Sequence, residues 1–156
     1  MISNTKDLNT NQLISESIKN LKHFSPSEVA VIMEVSKHAK RVSNERAYDY
    51  GGYCAYASHL IADRIGGHVV FGHFRGSQSP HVWVEKNGFI IDATVDQFHN
   101  GYEDIPYALI VRRNSPYAKS HYFHKPNNLG SPSEWRSSWN KLDSRRGLLR
   151  RFRFNV

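Results

Sequence analysis

Apolar residues recur at helical intervals along the first third of the chain. A first helix is predicted from about Thr10 to Phe24, and a second begins at the segment SPSE. In that segment Ser25 can cap the helix, Pro26 suits the first helical position and Glu28 completes a capping box. This second helix is expected to fade near residues 43 and 44. The two apolar stripes are Leu13, Ile14, Ile18 and Leu21, and then Val29, Ile32, Met33 and Ala39.

A third helix is predicted from about Tyr53 to Ile65, and Gly66 with Gly67 ends it. Four segments rich in β-branched and aromatic residues follow and predict strands. A second Ser-Pro-Ser-Glu signature then predicts a final helix. The strand segments are His68–Arg75, His81–Lys86, Phe89–Thr94 and Tyr107–Arg113, and the final helix would carry Trp135, Trp139 and Leu142.

This order of elements predicts a single α+β domain in which helices pack on an antiparallel sheet. A length of 156 residues suits one compact domain. We divide it into a helical N-terminal part over 10–43, a core over 50–113, and a C-terminal helix with a basic tail over 131–156.

The stretch HVWVEKNGFIID places a histidine and an aspartate on either side of an Asn-Gly turn. Asn87 and Gly88 suit a two-residue type I′ turn, because both of its central positions need positive φ. In the resulting register His81, Trp83 and Asp92 share one face of the sheet. His81 and Asp92 are then diagonal neighbours, close enough for one hydrogen bond. The register pairs Lys86 with Phe89, Glu85 with Ile90 and Val84 with Ile91.

A histidine beside a carboxylate can serve as a base, because the carboxylate fixes the tautomer and leaves the other ring nitrogen free. The single cysteine, Cys54, lies in the first turn of the third helix, where unpaired N–H groups favour a thiolate. Gly51 and Gly52 before it leave room for a substrate carbonyl. The backbone N–H of Cys54 can then donate to a developing oxyanion.

Each of these residues also has an ordinary structural interpretation. A lone cysteine on an apolar helix face is commonly a small buried hydrophobe. A strand histidine is commonly structural, and an aspartate at a strand end commonly belongs to a turn. Trp83 is most simply a core aromatic, and its functional interpretation is that it lines an acyl tunnel or shields a thioester from water. The spacing leaves both interpretations open.

The segments CAYASHLIADRIGGHVV and HVWVEKNGFIIDATVDQF resemble the transglutaminase-like branch of the papain-like superfamily. They are especially similar to small bacterial proteins of the YunG-like group. In that branch the chain order is cysteine, histidine, aspartate. The likeness covers roughly Gly51 to Phe98, which is under a third of the chain.

The resemblance implies a papain-like or transglutaminase-like fold with Cys54 as nucleophile, His81 as general base and acid, and Asp92 as the residue that orients the histidine. It implies acyl transfer on an amide bond through a thioester, as in a deamidase, a transglutaminase-like enzyme or an amidase or peptidase. The substrate would carry an amide, for example a protein glutamine, and no cofactor is needed.

Two departures from papain-type proteases favour the transglutaminase-like alternatives. The segment RAYDYGGYC has no glutamine ahead of the cysteine to complete the oxyanion hole, and Ala55 stands where a bulky aromatic residue is favoured. Candidate replacement donors are Gln97, Tyr50 and Tyr53.

The formal charge of +7 raises a second possibility. Five arginines fall within Ser144–Phe154. The alternative function is a non-enzymatic basic binding module on a papain-like scaffold, with the arginine-rich tail meeting an acidic partner or nucleic acid. Nucleic-acid binding is not favoured, because no zinc-finger spacing and no RNA-recognition sequence accompanies the charge.

Nine histidines invite a metal interpretation. Two sets of histidines are candidates, namely His121, His124 and His99, and then His68 and His73. Neither set matches an established zinc spacing, so we expect no metal site. The single cysteine excludes an internal disulfide, and the N-terminus lacks a signal-peptide core. We therefore expect a protein that does not enter a membrane and is cytoplasmic by default, with export by another route left open.

Overall fold

A computed structural model describes residues 10–45, 53–75, 80–97 and 105–123 of the chain. These residues include three α-helices, five strands and three short 3-10 helices. The predicted final helix, the basic tail, Tyr50 and the Gly51-Gly52 pair all lie outside them. The elements are α1 (Thr10–Asn20), α2 (Pro26–Glu45), α3 (Tyr53–Ile65), β1 (His68–Phe74), β2 (Pro80–Lys86), β3 (Phe89–Asp92), β4 (Leu109–Arg112) and β5 (His121–Phe123), with 3-10 turns at Leu21–His23, Val95–Gln97 and Pro116–Ala118.

The ends of helices α2 and α3 follow the predicted sequence signals. At the start of α2, the Ser25 N–H donates to Glu28 Oε1 at 2.9 Å, and the Glu28 N–H donates to Ser25 Oγ at 3.2 Å. These two bonds form the capping box. At the end of α3, Gly66 and Gly67 have φ of +83° and +96°, a conformation that L side chains rarely adopt.

The five strands form one antiparallel sheet with the order β4-β3-β2-β1-β5. The predicted α+β class and the meander of the first four strands are therefore confirmed. Strand β5, which pairs with β1 at one edge, was not predicted. The hairpin turn has φ of +50° at Asn87 and +80° at Gly88. Its register is the predicted one, with Val84 opposite Ile91, Glu85 opposite Ile90 and Lys86 opposite Phe89.

The two faces of the sheet are covered differently. Helix α3 packs its buried residues, among them Tyr56 and Ile61, against the face that carries Val84 and Ile91. The opposite face carries Trp83, and its apolar cluster includes Leu13, Phe74, Ile90, Val95, Ile105, Leu109 and Val111.

Helix α1 departs from its predicted apolar stripe, because Ile18 is 56% exposed. Leu13 of the predicted stripe is buried, and the other buried positions of α1 are the polar residues Ser17 and Asn20. Ser17 Oγ accepts a bond from the Ile110 N–H at 3.0 Å, and Asn20 Nδ2 donates to the Ile110 carbonyl at 2.9 Å. Strand β4 is an edge strand, so its backbone has unpaired groups, and the polar side chains of α1 satisfy two of them.

Among the described residues, no helix combines the length and the apolar character that crossing a membrane requires.

Candidate active site

The hairpin brings His81 and Asp92 into direct contact. His81 Nε2 lies 2.6 Å from Asp92 Oδ2, and each residue is only 1% exposed. Strand β2 positions the imidazole and strand β3 positions the carboxylate, in the diagonal relation that the turn predicts. A distance this short is typical of a charge-assisted hydrogen bond.

Asp92 accepts three further hydrogen bonds in the buried site. His121 Nε2 on strand β5 lies 2.8 Å from the same oxygen, Oδ2. The other oxygen, Oδ1, accepts from the Thr94 N–H at 3.1 Å and from the Thr94 hydroxyl at 3.3 Å. An ionised carboxylate only accepts, so His81 and His121 both carry a proton on Nε2.

Cys54 reaches this cluster from the other side of the sheet. Its side chain packs with Ala55, Phe71 and Val82, on the face that helix α3 covers. The Cys54 thiol nevertheless lies near enough to His81, at the start of strand β2, to help raise the pKa of its imidazole. Because Nε2 of His81 faces Asp92, Nδ1 is the ring nitrogen left for the thiol. The three predicted catalytic residues therefore lie together, and Cys54 is 5% exposed.

The charges of the cluster depend on one another. Burial alone lowers the pKa of His81, but the Asp92 charge and hydrogen bond, together with the thiol of Cys54, outweigh it and raise that pKa to about 10. Burial works in the opposite direction on Asp92, yet the two histidines hold the pKa of its carboxyl well below the usual range. His81 and Asp92 therefore form a buried ion pair at neutral pH.

His121 remains neutral beside this pair. Burial lowers the pKa of its imidazole, and the hydrogen bond to Asp92 offsets only part of that effect. Repulsion from His81 and Arg113 lowers the pKa further. A neutral ring with its proton on Nε2 leaves Nδ1 bare, and His121 Nδ1 is buried with no hydrogen-bond partner among the described residues.

The three candidate substrate-binding or oxyanion residues lie in different surroundings. Gln97 is at the site, since its Nε2 lies 3.4 Å from His81 Nδ1 and donates to the Thr94 carbonyl at 3.0 Å. Trp83 shares the face of His81 as predicted and is fully buried, with ring centroids 5.9 Å apart. Tyr53 belongs to the opposite core, where its hydroxyl bonds to His38 Nδ1 of helix α2.

Two residues of the cluster were missed from the sequence. Thr94 could have been found, because an aspartate followed two residues later by a backbone donor is a common local turn motif. The sequence suggests His121 only as a possible metal ligand, and it carries no strand signal at His121–Phe123. Asp92 and His121 stand on strands separated by β2 and β1, roughly 14 Å apart in a flat sheet. Their contact requires strong curvature of the sheet, which local sequence patterns do not specify.

His81, Asp92 and His121 also form a possible set of metal ligands, with donor atoms all within 4.8 Å of one another. Tetrahedral zinc at its usual bond lengths separates its ligand atoms by about 3.3 Å. The two nitrogen–oxygen distances of 2.6 and 2.8 Å are shorter than this and match hydrogen bonds. Ligating histidines also usually donate their second N–H to an acceptor, and His121 Nδ1 has none among the described residues. The donor set therefore fits shared protons better than a zinc ion.

Comparisons with protein-family models, with curated proteins and with solved structures find no match to this chain.

Proposed function

We propose that this protein is a cysteine-dependent acyl-transfer enzyme of the transglutaminase-like, papain-like kind, acting on an amide bond. The observation that carries the proposal is the placement of His81 between the Cys54 thiol and the Asp92 carboxylate. A thiol, an imidazole and an orienting carboxylate in this order form the working parts of a thiolate–imidazolium nucleophile. Their near-complete burial strengthens the electrostatic interactions among them.

In the proposed reaction the Cys54 sulfur attacks the amide carbonyl carbon and forms a carbon–sulfur bond. The carbon–nitrogen bond then breaks, and His81 gives its proton to the departing ammonia or amine. This leaves a thioester on Cys54. Water or a second amine attacks the thioester carbonyl and loses a proton to His81, and the carbon–sulfur bond breaks. Hydrolysis of a side-chain amide is deamidation, and capture by an amine is transamidation.

The positions of two neighbouring groups support this chemistry. Cys54 lies in the first turn of α3, so its backbone N–H has no partner within the helix and can donate to the oxyanion. The Gln97 side-chain amide, on the Nδ1 side of His81, is a second candidate donor. Because only 5% of the Cys54 surface is exposed, the site favours a slender amide-bearing side chain, such as that of glutamine, over a bulky main-chain segment.

Alkylation of the single cysteine by iodoacetamide tests the nucleophile directly. The wild-type protein should react rapidly near pH 6, whereas an ordinary thiol reacts appreciably only above about pH 8. The variant His81→Ala should lose the fast reaction at pH 6. The matched control is His68→Ala, because His68 is an exposed histidine on strand β1 and should leave the rate unchanged.

Turnover tests the proposed substrate class. Glutamine-containing peptides should release ammonia with the wild-type protein, or should take up a fluorescent primary amine, and Cys54→Ala should do neither. A thiol that reacts only at alkaline pH in the folded wild-type protein, at a rate indifferent to His81→Ala, would overturn the proposal. In that case His81 and Asp92 would serve only the stability of the fold.

A further inference from the structure

The Asp92 carboxylate is shared between two histidines, and only one of them contacts the thiol. His81 and His121 both donate from Nε2 to Oδ2, at 2.6 and 2.8 Å. Thr94 occupies the other oxygen with two donors. Each oxygen of the Asp92 carboxylate therefore accepts two hydrogen bonds, and the group is held at both ends.

His121 is itself held on several sides. Phe74 and Trp83 meet its ring edge-on, with centroids 5.2 and 5.0 Å away. Arg113 Nη1 donates to the His121 backbone carbonyl at 2.6 Å. Arg113 also pairs with Glu85 at 3.3 Å. These contacts leave the imidazole little freedom to turn its Nε2–H away from Asp92.

Chain placement also favours this contact. Gly72 of β1 lies opposite His81 of β2, and Phe74 of β1 lies opposite His121 of β5. Residues that oppose each other, and alternate residues along a strand, share a face, so Gly72 is the position of β1 beside His81 on the site face. Gly72 carries no side chain at this position, and the ring centroids of His81 and His121 lie 6.0 Å apart.

We infer that His121 is a positioning residue, a neutral hydrogen-bond donor that fixes the Asp92 carboxylate and so holds the imidazole of His81 ready for the Cys54 thiol. The functional part of this inference rests on the proposed function. Without the His121 donor, a buried carboxylate would keep its charge with one fewer of its four hydrogen bonds. Asp92 would then take up a proton more readily, and the imidazolium would lose its counter-charge at a higher pH than in the wild type.

Other titratable and charged groups lie near His81 and Asp92, and they must be the same in the wild type and in any His121 variant. The thiol of Cys54 acts on His81, and burial together with the charge of Asp92 raises the pKa of Asp96. Asp96 itself pairs with Lys40 of α2 at 3.3 Å. None of these groups changes when His121 is replaced. Among the described residues, the groups near the pair include Cys54, Gln97, Asp96 with Lys40, and Arg113 with Glu85.

Two substitutions of His121 separate the hydrogen bond from packing. His121→Gln keeps an amide N–H near the position of Nε2, and His121→Phe keeps a ring against Phe74 and Trp83 without a donor. In the full-length protein, the rate of Cys54 alkylation near pH 6 should fall about tenfold or more in the Phe variant. It should stay within about threefold of the wild type in the Gln variant, because that donor is retained. The acid limb of the pH–rate profile should move to higher pH only in the Phe variant.

A profile of the Phe variant that superimposes on the wild type would overturn the inference. Equal losses in both variants with no movement of the acid limb would also overturn it, because they would indicate a packing role alone. Far-ultraviolet circular dichroism of each variant shows whether the fold is retained.

The wild-type protein provides a test that needs no substitution. Nitrogen-15 spectra of its histidines should show His121 as the neutral tautomer with the proton on Nε2, coupled to a hydrogen-bonded N–H proton. His121 protonated on Nδ1 alone could not donate to Asp92, and this result would refute the inference directly. Slow alkylation of wild-type Cys54 near pH 6 would instead refute the proposed function, and the tautomer would still decide whether His121 holds the carboxylate.

Discussion

The buried carboxylate of Asp92 offers the sharpest single perturbation, because Asp92→Asn changes its charge and one donor–acceptor pattern but hardly its shape. Asp92 accepts two bonds on each oxygen, from His81 and His121 on one and from Thr94 on the other. An amide can accept on one side only. Its NH₂ group must face either two imidazole N–H groups or the donors of Thr94, so at least one buried donor loses its partner.

The size of the effect follows from burial and charge. Removing one partner of a buried ion pair typically destabilises a protein by about 3–5 kcal/mol, because the other charge is left uncompensated. His81 can escape part of that cost by giving up its proton, so we expect the lower half of that range, about 3 kcal/mol. Urea unfolding followed by the fluorescence of the tryptophans measures this loss. Glu34→Gln, at an exposed position on helix α2, is the control and should stay within about 0.5 kcal/mol of the wild type.

The pH dependence gives the same prediction a second readout. The pKa of His81 is raised from 6.5 to about 10, so its contribution to stability is complete below pH 6.5 and is lost as the pH rises through that raised value. The pKa of Asp92 is lowered from 3.8, so its contribution is complete above that pH and is lost as the pH falls through the lowered value. The pair therefore stabilises the fold most between about pH 4 and pH 6.5. The Asn variant should lose the decline above that window, and a variant with the stability and pH profile of the wild type would refute the ion pair.

Two further predictions concern the scaffold. Gly67→Ala should destabilise the protein by about 2 kcal/mol or more, because φ is +96° and the new Cβ would lie 2.9 Å from the Glu85 carbonyl oxygen. The control is Gly66→Ala, which has φ of +83° and no atom within 4 Å of the new Cβ, and it should cost about 1 kcal/mol. Equal urea midpoints for the two variants would contradict the steric reasoning. Ser17→Ala should cost about 1–3 kcal/mol, because it leaves the buried Ile110 N–H without its acceptor. The control is Ser15→Ala, at an exposed position of the same helix. An equal loss of stability in that variant would show that the bond from Ser17 to the edge strand contributes nothing.

Sequence patterns predicted what depends on neighbours along the chain. The Asn87-Gly88 pair fixes a turn, the turn fixes a register, and the register brings His81 to Asp92. Helix boundaries likewise follow capping residues and glycines that act within one turn of the chain. These predictions succeed because each rests on one backbone constraint with few alternatives.

The remaining features depend on how distant elements meet. Ile18 of α1 is exposed, although it fits an apolar helical stripe, because the helix is held to an edge strand through Ser17 and Asn20. His121 stands on a strand of three residues, too short for a periodic signal, and touches Asp92 only because the sheet curves. Neither feature leaves a local trace that hydrophobic periodicity could detect.

The structure also bears on why this fold tolerates a buried charge cluster. Taking a carboxylate and an imidazolium out of water is expensive, and hydrophobic residues of similar volume often stabilise a core equally well. Stability alone therefore does not explain why His81, Asp92 and His121 occupy the core. The three bonds that Asp92 accepts besides the one from His81 offset its burial, but they do not explain why a carboxylate is there. A fixed, ionised carboxylate has its clearest physical use in holding one imidazolium in one orientation, and the other side of that ring faces the only thiol of the chain. The desolvation cost of the ion pair is therefore incurred beside the thiol that would act as the nucleophile. This is the physical reason to test Cys54 first.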